Sequence, residues 1–140
     1  MLTNRSMPRS TVIPELAYPD LDAAAGWLER AFGFEVRLRI GSHRIQINAG
    51  EGAIVLIEMS PAAPREAVTA GHAVMIRVED VDAHHRRSLA AGAKVVRAPQ
   101  DYPYGERQYT VEDLAGRRWT FSQSIADVDP VTWGGEPGRL

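Results

Sequence analysis

The stretch DLDAAAGWLERAFGF, from Asp20 to Phe34, recurs in outline as EDVDAHHRRSLAAGA, from Glu79 to Ala93. Each stretch begins with an aspartate that can cap a helix, continues with helix-forming residues and reaches a glycine that can end one. The two capping aspartates, Asp20 and Asp80, are 60 residues apart in a chain of 140. This repetition predicts that one structural unit, built around a helix, occurs twice.

The segments that flank both helices have the composition of β-strands. In the first copy, TVIPELAY precedes the helix, and EVRLRI, HRIQINA and AIVLIEM follow it, separated by glycine turns. In the second copy, HAVMIRV precedes the helix, and KVVRAP, RQYTVED and RRWTFSQ follow it. Short apolar or alternating runs bounded by Gly, Asp and Pro are typical of strands. The sequence therefore predicts a β-α-β-β-β unit that is present twice.

The repeat also predicts how the chain is organised. We expect a flexible N-terminus over residues 1–10, a first module over 11–60, a linker over 61–70, a second module over 71–125 and a C-terminal tail over 126–140. The linker region reads SPAAPREAVTAG, a Pro- and Ala-rich composition that is typical of a mobile connector. The tail is rich in Pro and Gly, and Trp133 could pack back on the body. Together the modules should form one domain.

Composition and charge argue against several classes of protein. The hydrophobic content of 44% is that of an ordinary globular protein, and the net charge of −2 is unlike that of a nucleic-acid binder. No apolar run approaches the roughly 20 residues that span a bilayer, and the polar start MLTNRSMPRS does not resemble a secretory signal. The chain has no cysteine, which excludes disulfides and thiolate metal sites. We therefore expect a cytoplasmic protein with no nucleic-acid or membrane partner.

On these motifs the chain resembles the vicinal-oxygen-chelate superfamily, the group of glyoxalases, bleomycin-resistance proteins and extradiol dioxygenases. The resemblance rests on the doubled unit, the two helical stretches and the segment YGERQYTVEDLAGRRWTFSQ, and it covers roughly Thr11 to Gln123. It implies an α+β fold in which two β-α-β-β-β modules form a paired, curved mixed sheet around a cavity. Members include lyases, isomerases, dioxygenases and binding proteins without catalysis, so the resemblance leaves the function open.

The resemblance also implies four inward-facing metal-ligand positions, and this chain does not fill them with ligands. The family spacing places these positions at Ile13, Leu56, Ala73 and Thr120. Isoleucine, leucine and alanine have no donor atom in their side chains, and a single threonine hydroxyl is a poor ligand. His72 is one residue away from its position, and neighbouring residues in a strand face opposite sides of the sheet.

The apolar pattern of the strand before the second helix supports this register. A row suited to packing under that helix is formed by Val74, Ile76 and Val78. Met75 and Arg77 should then face the cavity. In the alternative register, a bulge turns His72 inward to join Glu58, but this supplies two ligands where catalytic zinc sites commonly keep three. We therefore predict no metal and no cofactor.

The predicted cavity combines apolar side chains with a few charged ones, as small-molecule sites commonly do. Tyrosines of the segment APQDYPYGERQYTVED border its mouth in the family, so they could stack on a planar ligand while Arg107 binds an anionic group. The predicted ligand-binding residues are Glu15, Leu56, Glu58, Met75, Arg77, Tyr102, Tyr104, Arg107, Arg118 and Thr120. In the alternative interpretation, the tyrosines cover the core and the charged residues pair with one another.

One further motif, HHRR at His84–Arg87, lies within the second predicted helix. Adjacent residues of a helix point about 100° apart and cannot chelate one ion together. The motif is therefore interpreted as a solvated helix face.

These observations favour a glyoxalase/bleomycin-resistance-like protein that binds a small hydrophobic or planar molecule, such as an antibiotic or other natural product, without metal. The resemblance to bleomycin-type binders implies a homodimer. The alternative is a lyase, isomerase or dioxygenase of the same superfamily, with Glu15 or Glu58 as the candidate catalytic base or with a divalent metal. In a third hypothesis, the dimer interface is the functional feature and the cavity is vestigial.

Overall fold

Two β-α-β-β-β modules follow each other along the chain in a computed structural model, which describes residues 2–60, 62–64, 66 and 71–138. The first module consists of β1 (Glu15–Tyr18), α1 (Leu21–Phe32), β2 (Glu35–Ile40), β3 (Arg44–Ala49) and β4 (Gly52–Glu58). The second consists of β5 (Val74–Arg77), α2 (Val81–Ala90), β6 (Lys94–Tyr102), β7 (Glu106–Glu112) and β8 (Arg118–Ser124). The predicted α+β fold is confirmed, while most of the predicted linker, 61–70, lies outside the described residues.

Both helices begin at the aspartates that the sequence indicates. The side chain of Asp20 accepts a hydrogen bond from the backbone N–H of Ala23, and that of Asp80 accepts one from Ala83. Each bond satisfies one of the donors that the first turn of a helix leaves without a partner. Helix α1 ends at Gly33, whose φ of 75° is easily adopted only by glycine. None of the described helices is long and apolar enough to cross a membrane.

The two sheets have the same topology. The strand order is β1-β4-β3-β2 in the first sheet and β5-β8-β7-β6 in the second. The strand before each helix pairs in parallel with the last strand of its module, and the remaining neighbours are antiparallel. The helices cover one face of the sheets. The opposite face of each sheet is called the open face below.

A hydrophobic core joins the two modules. Helix α1 packs against α2, and the Phe32 ring at the end of α1 contacts Trp119 and Phe121 of the second module at centroid distances of 5.5 and 4.8 Å. Phe32 also contacts Trp27 and Phe34 of its own module. Trp119 and Phe121 are fully buried, as their apolar alternation predicts. The modules are therefore joined on their helix side.

A buried polar cluster lies where the first module contacts the turn between β7 and β8. The hydroxyl of Tyr18 donates to Asp113 Oδ2 at 2.6 Å, and Trp119 Nε1 donates to the same oxygen at 3.0 Å. Arg117 lies over the Tyr18 ring, and its Nη2 donates to the backbone oxygen of Ala17 at 2.9 Å. Burial and the neighbouring Asp113 carboxylate raise the pKa of Tyr18, so the phenol stays a proton donor. We call these residues the inter-module joint.

The HHRR motif is in part a helix–helix contact, which corrects its interpretation as a solvated face. His84 Nε2 lies 3.0 Å from the backbone oxygen of Phe32, and its ring packs 4.0 Å from that of Phe121, measured between centroids. Arg87 donates to the backbone oxygens of Glu29 and Arg30 at the end of α1. These partners come from distant parts of the chain, so the local pattern of polar residues does not indicate them.

Candidate ligand-binding face

The register predicted for the strand before the second helix is confirmed, and the strand before the first helix has the same alternation. Leu16 of β1 is buried in the core, whereas Glu15 is exposed on the open face. In β5, Val74 packs against the core, while Met75 is 62% exposed on the open face. Arg77 shares the open face with Met75. The alternation of apolar residues was sufficient to determine which side chains face away from the helices.

The prediction for the last strand of the first module is wrong. Leu56 pairs with Leu16 and is fully buried in the core, so it cannot line the open face. The open-face residue is its neighbour Val55, which pairs with Glu15. The two modules differ here because Ala49 and Gly52, the pair that closes the turn between β3 and β4, lie on the helix side, whereas Glu112 and Arg118, the pair that closes the turn between β7 and β8, lie on the open face. The family spacing, which counts about four residues past the turn glycines Gly52 and Gly116, therefore reaches opposite faces in the two modules.

The candidate catalytic glutamates do not lie in an apolar cavity. Glu15 is exposed, and its carboxylate accepts a hydrogen bond from Arg44 Nη2 at 3.0 Å. Glu58 is also exposed. It lies at the end of β4, where it is the strand-pairing partner of Tyr18. A general base of unusual strength requires desolvation or a specific charged neighbour in a cleft. The structure does not bring Glu15 and Glu58 into such a setting.

The residues at the family's metal positions do not fit a metal ion. With the corrected register these positions are Ile13, Val55, Ala73 and Thr120, and three of the four have no donor atom. His72 Nε2 lies 2.8 Å from Arg117 Nη1, and because a guanidinium can only donate, the ring nitrogen uses its lone pair there. Within the described part of the chain, no three His, Asp or Glu residues are grouped so that they could hold a metal.

The open face of the second sheet is lined by hydrogen-bonding side chains. Thr110 and Thr120 face each other across β7 and β8, with 3.1 Å between their hydroxyl oxygens. Gln108 Nε2 donates to Ser122 Oγ at 3.0 Å, and this hydroxyl donates to Glu106 at 2.7 Å. We call the following set the ligand face: Met75, Arg77, Glu106, Gln108, Thr110, Thr120 and Ser122.

The ligand face has one acidic and one basic side chain, Glu106 and Arg77, and their charges offset each other. Partial burial acts to raise the pKa of Glu106, but hydrogen bonds from Ser122 and Ser124 and the charge of Arg77 lower it. Arg77 Nη1 also donates to Ser124 Oγ at 2.8 Å. Arg118, at the start of β8, lies 3.9 Å from the Glu112 carboxylate. The face therefore presents hydroxyl and amide groups and little net charge.

Aromatic rings border the ligand face at the turn between β6 and β7. The rings of Tyr102 and Tyr104 are stacked, with centroids 5.3 Å apart and an angle of 15° between their planes. Trp133, from the C-terminal tail, packs 5.2 Å from Tyr104. The tail returns to this turn because the backbone N–H of Ile125 donates to the Gly105 oxygen at 2.8 Å. The hydroxyl of Tyr104 donates to Gln108, which connects the aromatic border to the face.

Two residues of the tyrosine segment are placed away from the ligand face. Arg107 lies on the helix side, where it donates to the carboxylates of Asp82 and Asp101 at 3.0 and 2.9 Å. Its donors are thus already paired with acids, as in the alternative interpretation of this residue. Tyr109 is fully buried in the core. The sequence grouped these residues with Tyr102 and Tyr104 because they are near in the chain, but strand alternation separates them.

A cleft of about 790 Å³ lies between the modules. Its wall combines Met75 and Arg77 of β5 with Ser124 of β8 and the turn from Ala49 to Gly52 of the first module. Of the residues predicted to bind a ligand, only these two from β5 line the cleft. The predicted ligand-binding residues did not include Gln108, Thr110 and Ser122 of the ligand face, or Trp133 of its aromatic border. Extending the alternation from Thr120 along β8 would have identified Ser122.

The fold and the doubled module are those of a known family. The sequence profile described as "Glyoxalase/Bleomycin resistance protein/Dioxygenase superfamily" matches residues 11–121, and the chain belongs to this superfamily. The solved structure of TioX from Micromonospora sp. ML1 is 36% identical, with a TM-score of 0.68, over 86% of this chain and 100% of that chain.

More distant structures share the fold. UcmS2 is 22% identical with a TM-score of 0.67, over 84% of this chain and 100% of that chain. A bleomycin resistance determinant encoded on transposon Tn5 is 18% identical with a TM-score of 0.68, over 84% of this chain and 99% of that one. The uncharacterised protein Rv0887c of Mycobacterium tuberculosis is 42% identical over 50 residues, which is 36% of this chain and 29% of that protein. The match therefore spans less than a third of that relative.

Proposed function

We propose that this protein binds a planar or amphipathic small molecule, such as an antibiotic or another natural product, and that binding needs no metal ion. The observation that carries the proposal is the stacked pair Tyr102–Tyr104, with Trp133 beside it, at the border of a hydrogen-bonding face of low net charge. Aromatic rings can hold a planar molecule by stacking, and nearby hydroxyl and amide groups can orient it. The bleomycin resistance determinant with the same fold supports this class of ligand.

In a single chain, the ligand face is too open to enclose a small molecule. Met75 is 62% exposed at its edge, whereas small-molecule sites commonly bury about 70–90% of their ligand. A second surface must therefore cover the face. A second copy of the chain is the simplest cover, because most soluble oligomers are symmetric homodimers. The proposed binding unit is accordingly a homodimer with the ligand between the two copies.

The dimer is tested by placing a charge at the edge of the face. Met75→Glu should raise the dissociation constant of the dimer at least about tenfold, because an ionised carboxylate is costly to bury without a partner. Sedimentation velocity at several protein concentrations measures this change. Leu89→Glu is the matched control, since Leu89 is 48% exposed on helix α2. A wild-type protein that sediments as a monomer at all concentrations would contradict the proposed dimer.

Ligand binding is tested through the fluorescence of Trp133. Titration with an anthracycline, which is planar, and with bleomycin, which is flexible and cationic, should give saturable quenching with at least one of them. Tyr104→Leu should weaken that binding up to about tenfold, because aromatic pairs contribute about 0.5–1.5 kcal/mol beyond their buried area. Trp27→Phe, a change in helix α1, should leave the affinity unchanged, and Trp133→Phe should remove most of the signal.

The same titration tests independence from metal. Protein dialysed against a chelator should bind the probe with unchanged affinity, since the family's metal positions have too few donor atoms. If binding disappears after dialysis and returns with a divalent ion, the metal-free proposal is wrong. If neither probe binds to wild-type protein, the proposal that an antibiotic of this kind is the ligand is wrong.

A further inference from the structure

The N-terminal residues 4–8 lie on the open face of the first sheet, although the sequence predicted a flexible N-terminus. Arg37 Nη2 donates to the backbone oxygens of Arg5 and Met7 at 2.8 and 3.1 Å. Gln46 Nε2 donates to the backbone oxygen of Ser6 at 2.9 Å. Arg37 Nη1 in turn donates to the Gln46 side-chain oxygen, which fixes both donors. We call residues 4–8 the N-terminal strap.

The strap makes the open faces of the two sheets unequal. Gln46 pairs with Val55 in the first sheet, and these residues are 3% and 1% exposed. Thr110 and Thr120 pair in the same way in the second sheet, and both remain partly exposed. Val55 is not part of the core cluster on the helix side, and its pairing partner Gln46 contacts the strap on the open side. The first face is therefore occupied by the chain itself, and the second is accessible.

The contacts with the strap are made to its backbone. Three successive carbonyl oxygens, those of residues 5, 6 and 7, accept hydrogen bonds from two side chains of the sheet. A turn inside the strap holds these carbonyls together, since the backbone N–H of Met7 donates to the Asn4 oxygen at 3.1 Å. Arg37 and Gln46 could therefore donate the same hydrogen bonds to any peptide backbone that presents successive carbonyl oxygens in this way.

We propose that the open face of the first sheet is a second binding site, which recognises a peptide backbone through Arg37 and Gln46, and that the strap is its tethered occupant. This inference does not rest on the ligand proposed for the second sheet. A tethered segment competes at an effective concentration on the order of millimolar, so a free peptide binds well only after the strap is displaced or removed.

The first test uses the strap sequence itself as the probe. The synthetic peptide LTNRSMPRS, residues 2–10 with blocked ends, should bind saturably to a variant that lacks residues 2–8. Its binding to the full chain should be at least about tenfold weaker, because the strap competes. Adding Arg37→Met to the shortened variant should abolish peptide binding. Arg39→Met is the matched control, since Arg39 lies on the same strand but pairs with Asp22 on the helix side.

A second measurement on the full chain covers the case in which the shortened variant does not fold. Trypsin can cut after Arg5 and Arg9, and Arg37→Met should speed these cleavages at least about tenfold because the strap loses its charge-assisted hydrogen bonds. Arg39→Met should leave the rate unchanged. The proposal is overturned if both variants are cleaved like the wild type, or if a folded shortened variant fails to bind the peptide.

Discussion

Replacing Asp113 with alanine should lower the free energy of unfolding by about 3–5 kcal/mol, because the change leaves several buried donors without an acceptor. Asp113 is only 6% exposed, and its carboxylate accepts hydrogen bonds from Tyr18, Trp119, Ala115 and Arg117. The first of these bonds comes from the other module. The change should therefore loosen the inter-module joint as well as the turn between β7 and β8.

Urea unfolding, followed by tryptophan fluorescence and by circular dichroism, measures the loss. Tyr18→Phe removes one donor and keeps the carboxylate, so it should cost less, about 1–2 kcal/mol. Asp101→Ala is the surface control: Asp101 is exposed, and ion pairs at the protein surface contribute little to stability. An Asp113→Ala variant as stable as Asp101→Ala would show that the joint does not hold the modules together.

The sequence predicts the architecture because the relevant signals are local and occur twice. The capping aspartates mark where both helices begin, and the glycine after Phe32 marks where α1 ends. In β5, apolar residues alternate with Met75 and Arg77, and this alone assigns each side chain to a face. These signals occur in both copies, so the assignment of each helix and of the strand before it can be checked against the other copy.

The error at Leu56 has a physical cause in the same repeat. The pair that closes the last turn faces the helices in the first module and the open side in the second, and side chains alternate between faces from that pair along the strand. The apolar composition of β4 offers no correction, because AIVLIE has apolar residues on both faces. Only the pairing of Leu56 with Leu16 settles which face it occupies.

The strap and the His84 contact could not be predicted from local patterns. The strap is held by side-chain donors that bind backbone oxygens, and a backbone oxygen is present at every residue, so the sequence has no distinguishing mark. His84 is polar and lies among polar residues, yet its partners Phe32 and Tyr109 are brought to it by tertiary packing. The sequence thus predicts the strands and helices that form the site more fully than it predicts which segments and side chains pack against them.

The half-buried position of His84 should make the protein sensitive to mild acid. Desolvation by burial lowers the pKa of His84 to about 4, against about 6.5 for an unfolded histidine. Between these values the unfolded chain binds a proton that the folded chain does not, so stability falls as the pH falls from 6.5 toward 4. Allowing for solvent screening of a partly exposed ring, the loss assigned to His84 should be about 2 kcal/mol.

Unfolding in urea at pH 7.0 and pH 4.5 isolates this contribution when wild-type protein is compared with His84→Gln. Other titratable groups also lower the free energy of unfolding in acid, but they do so in both proteins. The wild type should therefore lose about 2 kcal/mol more than the variant. His43→Gln is the matched control, because His43 is exposed in the turn between β2 and β3 and is not part of the contact between the two helices. An NMR titration in which the His84 ring protonates near pH 6.5, instead of near 4, would contradict the desolvated contact between the two helices.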